Sequence, residues 1–193
     1  MNGPPYSHNS FFPAMTETQT LDLIDSLTQL DQFPAVKAIR HQRAKVVDAT
    51  QGSYRQLFDP ALPGLTLGER LRVAQTISQL SDSASLLQHY SAQLAALQDA
   101  PVDAQREAAL QKFATLLTHK PVEGDRSSID ALLAAGLQPP EIITLAQLIA
   151  FLSFQVRVVA GLQALTALGD DLLAAPAAAA GSETFVHPHH LPK

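Results

Sequence analysis

Residues 66–90 read Thr66-Leu-Gly-Glu-Arg-Leu-Arg-Val-Ala-Gln-Thr-Ile-Ser-Gln-Leu80, then Ser81-Asp-Ser-Ala-Ser-Leu-Leu-Gln-His-Tyr90. Thr66 and Glu69 stand three apart, the spacing of a capping box, in which each side chain satisfies an orphan N–H at a helix start. The spacing predicts a helix from there to about Leu80. Ser81, Asp82 and Ser83 then favour a fresh helix start, with the second helix reaching about Gln98. This second start is polar, with His89 and Tyr90 further along. Such a start suits a reactive helix N-terminus, where a nucleophile faces backbone N–H groups. No obvious nucleophile stands there.

The same grammar extends outward. Period-two alternation is weak throughout, and Ala, Leu and Gln dominate, so the chain reads as all-α. A short helix is expected over about 20–30, broken by Phe33-Pro34. A second is expected over about 35–58, with Val36, Ile39, Val46 and Val47 on one side. After a loop at 59–64 come the two helices above, then one over 103–118. Ser127 and Asp130 have capping-box spacing for a short helix ending at Gly136, which suits a glycine C-cap. Pro139 or Pro140 fits the first turn of a last long helix reaching about Leu168. Residues 1–16 are expected to be an extension, with Met15 resembling an ordinary protein start. Residues 17–170 are expected to form one helical domain, and 171–193 an alanine-rich tail.

Composition narrows the classes. Of 193 residues, 46% are hydrophobic and 16% charged, which excludes general disorder. The net charge of −5, with 13 scattered Lys and Arg, argues against a nucleic-acid partner. The absence of cysteine removes disulfides and thiolate chemistry. No secretory pattern opens the chain, so a cytoplasmic location is the default expectation. The apolar run Ile142–Leu165 is interrupted by Gln147, Ser153, Gln155 and Arg157. It reads as a central helix buried by its neighbours, so no membrane partner is expected.

The ordered set Glu69-Arg70-Leu71-Arg72-Val73-Ala74, Ser83, Arg106-Glu107-Ala108 through Thr118, Leu133-Ala-Ala-Gly-Leu137 and Gln147 through Arg157 resembles the alkylhydroperoxidase AhpD and carboxymuconolactone decarboxylase family. The peroxidase-related branch is the nearest in pattern. The resemblance covers about 66–165, and 22–58 resembles the leader of cysteine-lacking members. It implies an AhpD-like helical bundle. It also places the family's Cys-x-x-Cys on Ser83 and Leu86, its relay glutamate on Leu71, and its histidine on Tyr90, with His89 one residue away. A serine hydroxyl is too weak an acid to stand in for a thiolate without an adjacent base. Neither Leu86 nor Leu71 moves electrons or protons. The resemblance therefore implies a degenerate member without thiol peroxidase activity. It would be an accessory or structural protein, a homo-oligomer, and a possible companion of a Cys-x-x-Cys-bearing relative.

Each candidate has an ordinary role beside the functional one. Ser83 is a natural helix cap, His89 a packed or exposed ring, and Tyr90 a buried, hydrogen-bonded phenol. Arg157 either binds an anionic ligand or pairs with a carboxylate. His187, His189 and His190 suit a metal by chemistry. They sit on an alanine- and proline-rich tract that does not organise them, so neither a metal site nor a cofactor is expected. Two alternative readings stay open. One is a cofactor-free decarboxylase or lactone-type enzyme using His89 with Arg157 or Arg72. The other is a small-molecule binder using the remnant pocket.

Overall fold

The structure is a computed structural model and describes residues 21–97 and 103–169. Helix α1 spans Leu23–Leu27, α2 Pro34–His41, α3 Ala44–Leu57, α4 Leu67–Leu80 and α5 Ala84–Ala96. Helix α6 spans Ala104–His119, α7 Arg126–Ala134 and α8 Pro139–Leu168, with short 3-10 turns at Leu30–Gln32 and Pro121–Glu123. No strand occurs among the described residues. The chain is an all-α bundle. The expected extension at 1–16 and the whole expected tail at 171–193, with His187, His189 and His190, lie outside the described residues.

Helix α4 is the hub. It packs on α5, α6 and α8 and buries Leu71, Val73, Ala74 and Ile77. Its start is the expected capping box: Thr66 Oγ1 accepts from Glu69 N, and Thr66 N donates to Glu69 Oε2. A second capping box starts α8. Pro139 occupies the first turn, and Gln138 N donates to Glu141 Oε2 at 2.6 Å. The two boxes meet. Arg106, in the first turn of α6, donates to the other oxygen of each glutamate, Glu69 Oε1 at 2.5 Å and Glu141 Oε1 at 2.7 Å. One guanidinium thus ties together three helix starts. Gly64 lies beside this clamp with φ +93°, and a Cβ there would stand 3.1 Å from Glu141 Cγ.

Several helix boundaries differ from the sequence expectation. The helix at 20–30 shortens to α1, because the chain turns at Gln29, which adopts φ 53°. The expected helix at 35–58 is two helices. Arg40 pairs with Asp22 (2.9 Å) and His41 with Asp25 (2.7 Å), which anchors the end of α2 to α1. The chain then redirects at Gln42 and Arg43 with no glycine or proline to signal it. The start of α7 is set by Asp125, which accepts from Ser128 N at 3.0 Å and from the Ser127 hydroxyl at 2.7 Å. A carboxylate one position before α7 displaces the expected Ser127–Asp130 box. Gly136 ends that region at φ +85°, as expected of a C-cap.

Helix α8 is apolar around most of its circumference, with Gln147 and Arg157 as exposed polar exceptions. One face, from Ile142 through Leu145, Leu148 and Leu152 to Val159, enters the core. The opposite face leaves Ile143 60%, Phe154 42% and Leu168 58% exposed. By length and composition α8 is able to cross a membrane, and 44% of its most apolar window is buried. It is therefore a half-covered helix, where the sequence predicted a fully covered one.

Candidate functional site

The turn between α4 and α5 passes through Asp82 at φ 52°, a left-handed conformation that aspartate tolerates better than most residues. Ser83 follows as the N-cap of α5 by position, yet its side chain makes no capping bond. Its backbone is engaged instead: Ser83 N donates to Ser78 O, and Ser83 O accepts from Leu87 N, each at 2.9 Å. The expected serine cap is therefore absent, and the hydroxyl has no hydrogen-bonded base among the described residues.

Leu86 and Tyr90 point inward and are fully buried. Tyr90 stacks on Phe58, with ring centroids 5.0 Å apart. Its hydroxyl donates to Gln155 Oε1 on α8 at 2.6 Å. Burial pushes the phenol well above its ordinary value, with Tyr54 adding to the rise against the opposing Gln155 bond. Leu71, at the relay position, is also a core residue. These residues fill the space behind the start of α5 with aliphatic and aromatic groups.

His89 faces the other way, toward α3. Its Nε2 lies 2.9 Å from the Tyr54 hydroxyl and 2.8 Å from Gln93 Nε2, while Gln93 Nε2 donates to Tyr54 Oη at 2.7 Å. Two donors converge on Nε2, so the tautomer that satisfies the triangle carries its proton on Nδ1. Burial lowers the His89 pKa and favours this neutral ring. Burial also raises the Tyr54 phenol, partly offset by Gln93. The triangle borders a shallow surface hollow lined by Leu27, Ser85 and Ala92. With its Nε2 lone pair already occupied, His89 is a packing and hydrogen-bonding residue in this state.

The triangle predicts a pH dependence. A histidine whose folded pKa is depressed binds a proton more readily when unfolded, so stability rises with pH between the folded and unfolded values. The His89 contribution is complete above about pH 6.5, the ordinary histidine value, and is lost as pH falls toward the folded value. His89→Gln flattens this limb of the stability–pH curve, measured by urea unfolding between pH 5 and 8. An unchanged slope refutes the assignment.

The arginines suggested by the sequence are not gathered around His89. Arg72 pairs with Glu107 on α6 at 2.9 Å. Arg157 is exposed and donates to Ser153 O of its own helix at 2.8 Å, with no carboxylate partner recorded among the described residues. The buried cation is instead Arg70, fully covered, donating to Leu57 O (2.6 Å), Asp59 O (2.9 Å) and Thr66 O (3.3 Å). The sequence carried a signal for it: positions 70, 73, 74 and 77 share one helix face, and the last three are apolar. Gln155 was equally legible, lying within the buried face of α8.

No family model matches this chain, and no curated protein matches it. Among solved structures the chain is similar to an uncharacterized peroxidase-related protein from Silicibacter sp. TM1040. The two are 20% identical, with a TM-score of 0.47 over 62% of this chain and 69% of that one.

Proposed function

We propose that this chain is an AhpD-like helical protein that has lost thiol peroxidase chemistry and serves as an accessory or structural member beside a Cys-x-x-Cys-bearing relative. The ordered motifs from Glu69 to Arg157 support the family reading. The observation that carries the loss of chemistry is the filled space behind α5, where Leu86 and Tyr90 are fully buried. An attacking group needs access to its peroxide and a partner to resolve the product. Here the first position holds an uncapped serine and the second an aliphatic side chain in the core.

The apolar side chains of Ile143 and Leu168 left exposed on α8 support self-association. Helices that are apolar all round are ordinarily covered on all sides, and symmetric homo-oligomers are the common means of cover. The expected test result is peroxide consumption at the buffer rate when the purified, metal-free chain is given tert-butyl hydroperoxide and a dithiol reductant. Saturable turnover by this protein overturns the reading.

A further inference from the structure

We propose that the groove between α3 and α8 binds an elongated anionic amphiphile of the size of a medium-chain carboxylate. The groove encloses about 660 Å³, within the range of about 300–1,000 Å³ usual for small-molecule sites. It lies on a different face of α3 from Tyr54 and the His89 triangle. Its walls are Val46, Ala49 and Leu57 on one side and Phe151 and Phe154 on the other, with Leu62 contributed by the following loop.

Three hydroxyl residues also line it, yet they leave it apolar. Thr50 donates to Val46 O at 2.8 Å, Ser53 to Ala49 O at 2.9 Å and Thr144 to Pro140 O at 3.0 Å. Each hydroxyl hydrogen is turned back onto its own helix, so apart from Lys45 and the amides of Gln56 and Gln147 the walls offer carbon. A ligand body lying there is best matched by hydrocarbon, with the Gln147 amide as the polar group on the α8 wall.

The remaining polar groups sit apart. Lys45, in the first turn of α3, is the one ionic side chain lining the groove, and it has no recorded ion-pair partner among the described residues. The positive end of α3 favours an anion at the same place, and Arg43 at the N-cap makes no side-chain bond there. Gln56 lines the far end. From Lys45 to Gln56 the helix rises about 16 Å, roughly the length of a twelve-carbon chain. A carboxylate head at Lys45 with its tail along Val46, Ala49 and Leu57 matches both charge and length.

Charge also decides against a second copy as the occupant. The groove lining holds no carboxylate. Pairing this face with itself therefore brings no carboxylate of the groove lining to Lys45.

The test is calorimetric titration of the full chain with dodecanoate, dodecanol and dodecyltrimethylammonium below their micellar concentrations. Dodecanoate is expected to bind one per chain, and the cationic amphiphile at least tenfold more weakly. Lys45→Gln is expected to weaken dodecanoate about tenfold, the scale of one charge-assisted contact, while leaving dodecanol unchanged. Ala49→Phe, at an exposed position on the groove wall, fills the groove and is expected to abolish binding of both. Helix content and the melting temperature of each variant establish that it is folded. The proposal is overturned by equal affinity for the cationic and anionic amphiphiles, by no saturable binding, or by insensitivity to either substitution. Light scattering that shows Ala49→Phe splitting an oligomer also overturns it, by assigning the groove to a second copy.

Discussion

Arg70→Met is expected to lower the melting temperature by roughly 12 °C, from a loss of about 4 kcal/mol converted at about 2–4 °C per kcal/mol for a chain of this size. The side chain is fully buried, and its donors reach Leu57 O, Asp59 O and Thr66 O. These carbonyls belong to the end of α3, the 58–66 loop and the cap of α4. Methionine keeps most of the volume and removes every side-chain donor, so Leu57 O and Asp59 O lose their charged partner while Thr66 O keeps its bond from the backbone N–H of residue 70. Burial lowers the guanidinium pKa, while Asp59 and Glu69 act in the opposite direction. The group therefore acts through charge-assisted bonds that a neutral side chain cannot imitate. Arg70→Lys supplies charge without the planar fork and is expected to recover less than half of the loss. A melting shift below about 3 °C for Arg70→Met, less than 1.5 kcal/mol on the same scale, contradicts this account.

Arg106→Met is the second large effect, about 3–5 kcal/mol at neutral pH, because it leaves two mostly buried carboxylates without their shared cation. Its signature is pH dependence. Burial alone would raise the Glu141 carboxyl, but the Arg106 guanidinium and the Gln138 N–H outweigh it and hold the group below its ordinary value. A depressed carboxyl contributes stability that is complete above the unfolded pKa and lost as pH falls through the folded one. In the variant the guanidinium is gone and burial dominates, so the sign reverses. The stability gap between the two proteins is therefore widest near pH 7 and narrows below pH 4, read by urea unfolding at each pH. A gap independent of pH removes the ion pair from the explanation.

The sequence was most legible where a local rule acts alone. The capping box at Thr66 and Glu69, the proline at the start of α8 and the glycine after α7 lie where their spacing puts them. It was least legible where distant residues decide. The break at Gln42–Arg43 follows pairing of Arg40 and His41 with aspartates some sixteen residues earlier, which no window of local propensity contains. Glu69 was readable as a cap, but its second role, holding Arg106, depends on a residue 37 positions away. Of the candidate site, Tyr90 was legible as a buried, hydrogen-bonded phenol. The outward turn of His89 toward Tyr54 depended on where α3 is laid down. Arg157 stood out by its charge within an apolar run, yet it points to solvent, while Arg70 on α4 is the fully buried arginine.

A helix as largely apolar as α8 has only a weak preference of its own for one rotational setting about its axis. Sliding hydrocarbon past hydrocarbon changes buried area only slightly. Directional bonds supply the missing preference. Glu141 is fixed at one end by Arg106, and Gln155, about four turns further on, is fixed by the Tyr90 hydroxyl. Two bolts along a smooth rod set its angle, and with it which side chains are left to face outward. In this bundle greasy contact supplies adhesion, and a few polar bonds supply orientation.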